Sequence, residues 1–159
     1  MNIYDLVLAM MTDFEQHNGV GSVRLGSEFD TDKYGNDKLP LIFIEAQPVQ
    51  RTKQTLGPQT YSLAIQIRDK QPVDRQETGF QLKRFQRQGE LELILDEVLA
   101  HADRADLGYS ISGNTNSISL FEDDSSDLLG WRIEIEVTPN QGLLDRCLVD
   151  GKYVPVNPL

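Results

Sequence analysis

Apolar and polar residues alternate most regularly over 128–138, LLGWRIEIEVT. Trp131, Ile133, Ile135 and Val137 fall on one side of an extended chain and Arg132, Glu134 and Glu136 on the other, the period-two pattern of a half-buried strand. Gly130 stands near its start, and Pro139, which cannot donate to a ladder, ends it. A second alternator covers 60–68, with Tyr61, Leu63, Ile65 and Ile67 facing one way and Ser62, Ala64, Gln66 and Arg68 the other. The nearly continuous apolar run LIFIEA at 41–46 reads as a buried strand. Between these two strands, QPVQRTKQTLGPQ is polar and holds the turn signal Gly57-Pro58. The expectation is an antiparallel pair joined by a long, protruding loop at about 47–59.

Two stretches carry helical spacing instead. Ile3, Leu6, Val7, Met10, Met11 and Phe14 make one stripe, predicting an amphipathic helix over 3–17 capped by Asn2 and stopped at Asn18-Gly19. Leu91, Ile94, Leu95, Val98, Leu99 and Ala102 make another, predicting a helix over 81–102. Phe80, Leu82 and Phe85 fit its stripe only loosely, and Gly89 allows a bend. The 18–39 stretch is a long polar loop in which Val23 and Leu25 flank Arg24 as a short edge strand would. Tyr109 and Ile111 alternate on odd positions but Ile118 and Leu120 on even ones, which asks for a bulge or turn in GNTNS at 113–117. After the acidic turn EDDSSD and the 128–138 strand, the tail is apolar at Leu143, Leu144, Leu148, Val149, Tyr153, Val154 and Val156. Asp150-Gly151 in it is a two-residue hairpin signal. The expected fold is therefore α+β: an antiparallel sheet with two helices packed on one face, in the order α-β-β-α-β-β. It fills one domain over 1–140, with long loops at 18–39 and 47–59, and is followed by a hairpin tail over 141–159.

Composition narrows the class. With 39% hydrophobic and 25% charged residues in 159, the chain is expected to fold around one core. No apolar run approaches bilayer length, and Asp5 with no basic flank argues against a signal peptide. One cysteine, Cys147, allows no internal disulfide. A net charge of -10 opposes tight nonspecific nucleic-acid binding, which works by neutralising phosphates. It is compatible with letting DNA pass.

Candidate chemistry is sparse. Asp30, Asp32 and Gly35 have the look of a calcium loop, but Tyr34 and Leu41 stand where oxygen ligands are required. Glu122, Asp123, Asp124 and Asp127 offer clustered oxygens, although an acidic turn is more commonly just solvated. His17 and His101 sit near predicted helix C-termini, where a cation suits the dipole. Cys147 reads as a partly buried thiol. No phosphate-binding, dinucleotide, serine-hydrolase or zinc-protease motif is present. The expectation is a protein that is not an enzyme and uses no metal or cofactor.

The order of elements, and the strand opening carried by Leu128, Gly130, Trp131 and Arg132 after an acidic turn, resemble the tail-terminator and tail-completion proteins of tailed bacteriophages and prophages. The resemblance spans roughly residues 3–140 in element order. It implies a structural virion protein, assembled in the host cytoplasm, that forms a ring at the tail end or head–tail joint with DNA passing through the lumen. A hexamer is implied, with tail-tube or neck proteins as partners and a role as terminator, neck or other minor tail component. The acidic charge suits such a lumen. Arg51 and Lys53 of the 47–59 loop, Lys83, Arg84 and Arg87, and Tyr153 of the tail are then the expected assembly contacts, the basic groups meeting acidic patches on neighbours. Two rival classes differ in what they need. An RNA-binding sheet wants aromatics and positive charge. A small-molecule- or protein-binding α+β domain of unrelated role wants a pocket with convergent polar groups.

Overall fold

A computed structural model describes residues 2–27, 38–46, 49–53, 55, 59–70, 78–104, 108–112, 117–121 and 128–140. The elements are α1 (Ile3–Phe14), β1 (Ser22–Gly26), β2 (Leu41–Glu45), β3 (Gln50–Lys53), β4 (Gln59–Lys70), α2 (Phe80–Arg104), β5 (Tyr109–Ser112), β6 (Ser117–Phe121) and β7 (Leu128–Pro139). The α+β class and the two helices match the sequence reading. The expected strand order does not: it becomes α-β-β-β-β-α-β-β-β. The C-terminal hairpin and Tyr153 lie outside the described residues.

The strands form one sheet in the order β1-β2-β4-β7-β5, with β3 also on β4 and β6 also on β7. The sheet is mixed rather than antiparallel, because β1 runs parallel to β2, pairing Val23 with Ile42 and Leu25 with Ile44. Parallel neighbours need a crossover of a dozen or more residues, and the 18–39 stretch supplies that length after contributing β1. The 47–59 stretch likewise contains a strand. β3 continues along β4 past the end of β2, pairing Arg51 with Tyr61 and Lys53 with Gln59.

The two long central strands are the two alternators, in register from Tyr61–Val137 to Lys70–Leu128. Leu63, Ile65 and Ile67 of β4 and Ile133 and Ile135 of β7 are buried, and both helices pack onto this face through Leu6, Met10 and Phe14 of α1 and Leu91, Leu95 and Val98 of α2. Trp131 and Leu99 are only partly buried against that core. β5 and β6 both pair with the far edge of β7. Ser112 pairs with Glu136 and Ser117 with Ile133, so the outer strand carries two more residues than β7 over that span. Two extra residues conserve parity. The slip read from the sequence is therefore not corrected: Ile118 stands opposite Arg132, away from the helices, and is 60% exposed.

The first helix is set by its cap. The Asn2 side chain accepts from the Asp5 N–H at 3.0 Å while Asp5 Oδ2 accepts from the Asn2 N–H at 3.3 Å, a reciprocal capping box. Asn2→Ala is expected to cost about 1 kcal/mol, read as a lower midpoint in urea with an unchanged slope. No loss at all would mean that tertiary packing alone sets where α1 begins. Among the described residues no helix is long and apolar enough to cross a membrane.

Candidate assembly surfaces and polar clusters

The expected contact residues separate once placed on the fold. Arg51 and Lys53 lie on β3, every residue of which is exposed. There Arg51 Nε donates to Gln59 Oε1 at 3.0 Å, and Gln59 Nε2 donates to the Tyr61 hydroxyl at 2.6 Å. This bonding holds the guanidinium on the exposed strand β3, outside β4.

Lys83, Arg84 and Arg87 all fall in the first half of α2 and differ in role. Lys83 is exposed and Arg84 half-buried. Arg87 Nε donates to Asp69 Oδ2 at 2.6 Å and its Nη1 to Glu90 Oε2 at 2.6 Å, while Nη2 also reaches Asp69. Burial would lower the Arg87 pKa, but the hydrogen bonds it donates to Glu90 and Asp69 and their charges hold it above its usual range. Arg87 is thus committed within its own chain, fastening α2 to the end of β4. The sequence hid this because Asp69 belongs to another element.

On the helix-free face, register places Arg24, Phe43, Gln66 and Arg132 in one row across β1, β2, β4 and β7. The polar residues of this face are buried: Glu45, Gln66 and Arg68 are each under 5% exposed. Arg132 grips Glu45 with two nitrogens, at 2.8 Å through Nε and 3.0 Å through Nη2. Gln66 donates to Glu45 at 2.5 Å and accepts from Arg68 Nε at 2.6 Å. A bidentate, hydrogen-bonded pair of this kind satisfies the groups that burial would otherwise penalise.

A polar groove of about 580 Å³ opens where the C-terminal end of α1 meets α2. Its walls hold two crossed pairs, His17 Nε2 with Glu97 Oε2 at 2.7 Å and His101 Nδ1 with Asp13 Oδ1 at 2.9 Å. His17 Nδ1 accepts from the Gly19 N–H at 2.9 Å, so its proton sits on Nε2 and points at Glu97. Asp13 is buried and orients the exposed His101 ring, an arrangement able to hold one imidazole tautomer. The described lining holds no hydroxyl or thiol nucleophile. Nearby, burial raises the Tyr109 phenol and the Asp13 charge raises it further, so it stays neutral. The two i,i+4 pairs, Asp13/His17 and Glu97/His101, were the available sequence signal. Among the described residues no three His, Cys, Asp or Glu side chains converge as a metal site. The calcium-like turn at 30–35, the acidic turn and Cys147 lie outside them.

A second, apolar groove of about 240 Å³ lies between α1 and the β1/β2 edge, lined by Tyr4, Val7, Leu8, Met11, Leu25 and Val49 among others. Tyr4 is 70% and Leu8 51% exposed there. In comparison with known proteins, no family model matches this chain and no curated protein is similar to it.

Proposed function

We propose that the protein is a structural component of a phage or prophage tail that assembles with copies of itself into a ring at the tail end or head–tail joint, with DNA passing through the lumen. The observation carrying this reading is the fully exposed strand β3, which presents Arg51 and Lys53 on a chain of net charge -10. Cationic groups on an acidic protein steer encounter with an acidic neighbour, and head-to-tail contacts of that kind close into rings when the rotation permits. Arg87 leaves the set of expected contacts because it is engaged with Asp69 and Glu90. Arg84 is half-buried and donates Nη1 to Gln81 Oε1 at 3.5 Å, so the proposal rests on Arg51 and Lys53, with Lys83 of α2 and Tyr153 of the tail as further expected contacts.

Light scattering after size exclusion tests the reading. Under it, the 18.0 kDa chain runs as a multiple of its mass, six copies by family resemblance, and forms annuli under the electron microscope. Removing residues 141–159 leaves the helix content intact and lowers the mass. A chain that stays monomeric both alone and with assembled tail tubes overturns the proposal. The second reading, a small-molecule- or protein-binding domain, is favoured by the apolar groove beside α1. It predicts a monomer whose Leu8→Asp variant folds but no longer takes up an apolar fluorescent probe.

A further inference from the structure

The apolar groove beside α1 stands open in the single chain. Tyr4 is 70%, Leu8 51% and Leu25 44% exposed along it, with Ile44 and Leu63 buried behind them. The one carboxylate in its described lining, Glu45, is buried and already held by Arg132 and Gln66. A polar group entering there would give up water and find no free partner. A cleft of about 240 Å³ with such walls takes apolar side chains.

The chain supplies a segment of that chemistry, and the fold fixes where it departs. The described structure stops at Asn140. Residues 141–159 follow, apolar at Leu143, Leu144, Leu148 and Val149. Their side-chain charges, Asp145, Arg146, Asp150 and Lys152, cancel, so the acidic body does not repel them. The Asn140 N–H donates to the Gly108 carbonyl at 2.8 Å, just past the end of β7. In β7, Ile135 pairs with Leu63, a wall of the groove. The groove also takes Ile44 and Glu45 from the C-terminal end of β2. Because β2 and β7 both run antiparallel to β4, the segment leaves from the same end of the sheet that carries the groove. At about 3.3 Å per residue it can extend roughly 60 Å, enough to reach a neighbouring copy.

A ring closed by head-to-tail contacts needs, on every copy, two unlike patches that fit each other. An open apolar groove and a neutral apolar segment are such a pair, and the exposure of Tyr4 and Leu8 in one chain leaves the seat to a donor from outside it. We propose that the groove beside α1 seats the 141–159 segment of the next copy, so that each chain lends its tail to one neighbour and receives a tail from the other. The contact rests on the ring reading, and it assigns to assembly the groove that a small-molecule-binding domain would use.

Cys147 is the chain's one cysteine and lies in that segment, so a disulfide reports where the segment goes. Tyr4→Cys and Leu8→Cys set a second thiol at two points one helical turn apart along the groove. On mild oxidation of the full chain, a ladder of covalent multimers is expected on a non-reducing gel. Leu82→Cys, exposed on α2, is expected to give none. Leu8→Asp is expected to bring the light-scattering mass down from a multiple to 18.0 kDa, with circular dichroism unchanged because the side chain is half exposed. An internal disulfide, seen as a monomer that migrates faster without reductant, overturns the neighbour as donor. No disulfide at position 4 or 8, or an equal ladder from Leu82→Cys, overturns the tail as occupant. An unchanged mass for Leu8→Asp overturns the groove as seat. In each of these cases a wild-type chain that still forms a ring keeps the ring reading, whereas a monomeric wild type removes that reading and this contact together.

Discussion

Gly130→Ala is expected to destabilise the protein by about 3 kcal/mol, at the upper end of what overpacking costs, and to lower the melting temperature by roughly 10 °C. In β7, Gly130 pairs with Arg68 of β4, and a Cβ placed on it would lie 1.8 Å from the Ile67 carbonyl oxygen. Even a favourable C–H···O contact keeps carbon and oxygen about 3.3 Å apart. The obstructing atom is backbone, so no rotamer change relieves it. Moving β7 away instead would break the seam with α2. Gln88 Nε2 donates to the Gly130 carbonyl at 3.3 Å, and Trp131 Nε1 donates to the Gln88 carbonyl at 2.9 Å. The opposing effect, loss of unfolded-chain freedom on adding a methyl, stabilises by only about 0.4–1 kcal/mol. The clash wins on magnitude. A measured loss below about half a kilocalorie would show that β4 and β7 do not approach this closely.

Three of the four residues that open β7 show how far the sequence could be read. Gly130, Trp131 and Arg132 carried the likeness to phage tail proteins, and each has a structural task in this fold: close strand approach, a bond to α2 and an ion pair to Glu45. The alternation flanking them was legible because β7 buries one face against the helices, and α1 was legible because its stripe and cap agree. β3 left no trace: Gln50, Arg51, Thr52 and Lys53 are all exposed, so no burial pattern was imprinted on them. The parallel β1–β2 pair was hidden because partner choice depends on where the 18–39 crossover goes and not on local spacing. The Glu45–Gln66–Arg68–Arg132 cluster was hidden because its members come from three strands. In the sequence each is one polar position of a strand, and its partners appear only when the strands are put in register.

Arg132→Met is expected to cost about 3 kcal/mol at neutral pH and to alter the acid limb of the stability curve. Burial pushes the Glu45 carboxyl up, but hydrogen bonds from Arg132 and Gln66 and the charges of Arg132 and Arg68 outweigh it, holding the group below its usual range. On the other side, the hydrogen bond to Glu45 leads the effects that raise Arg132, so it stays charged throughout. A folded-state value below the unfolded one means that the unfolded chain binds the proton more readily. The stabilisation is then fully present above the ordinary glutamate value of about 4.3 and is lost as pH falls through the lower, folded value. Removing one partner of a buried pair leaves the other charge uncompensated, which typically costs 3–5 kcal/mol. The lower end applies here because the Arg132 side chain is 24% exposed against 3% for Glu45. With Arg132 gone, burial has less to oppose it and the Glu45 carboxyl moves upward. The variant should therefore lose less stability than the wild type between pH 5 and pH 3, and their urea midpoints should converge in acid. Replacing both residues, Glu45→Met with Arg132→Met, removes the stranded charge, and most of the neutral-pH loss should return. Parallel pH curves for wild type and Arg132→Met would show that Glu45 does not depend on this arginine, and the pairing across β2 and β7 would lose its energetic meaning.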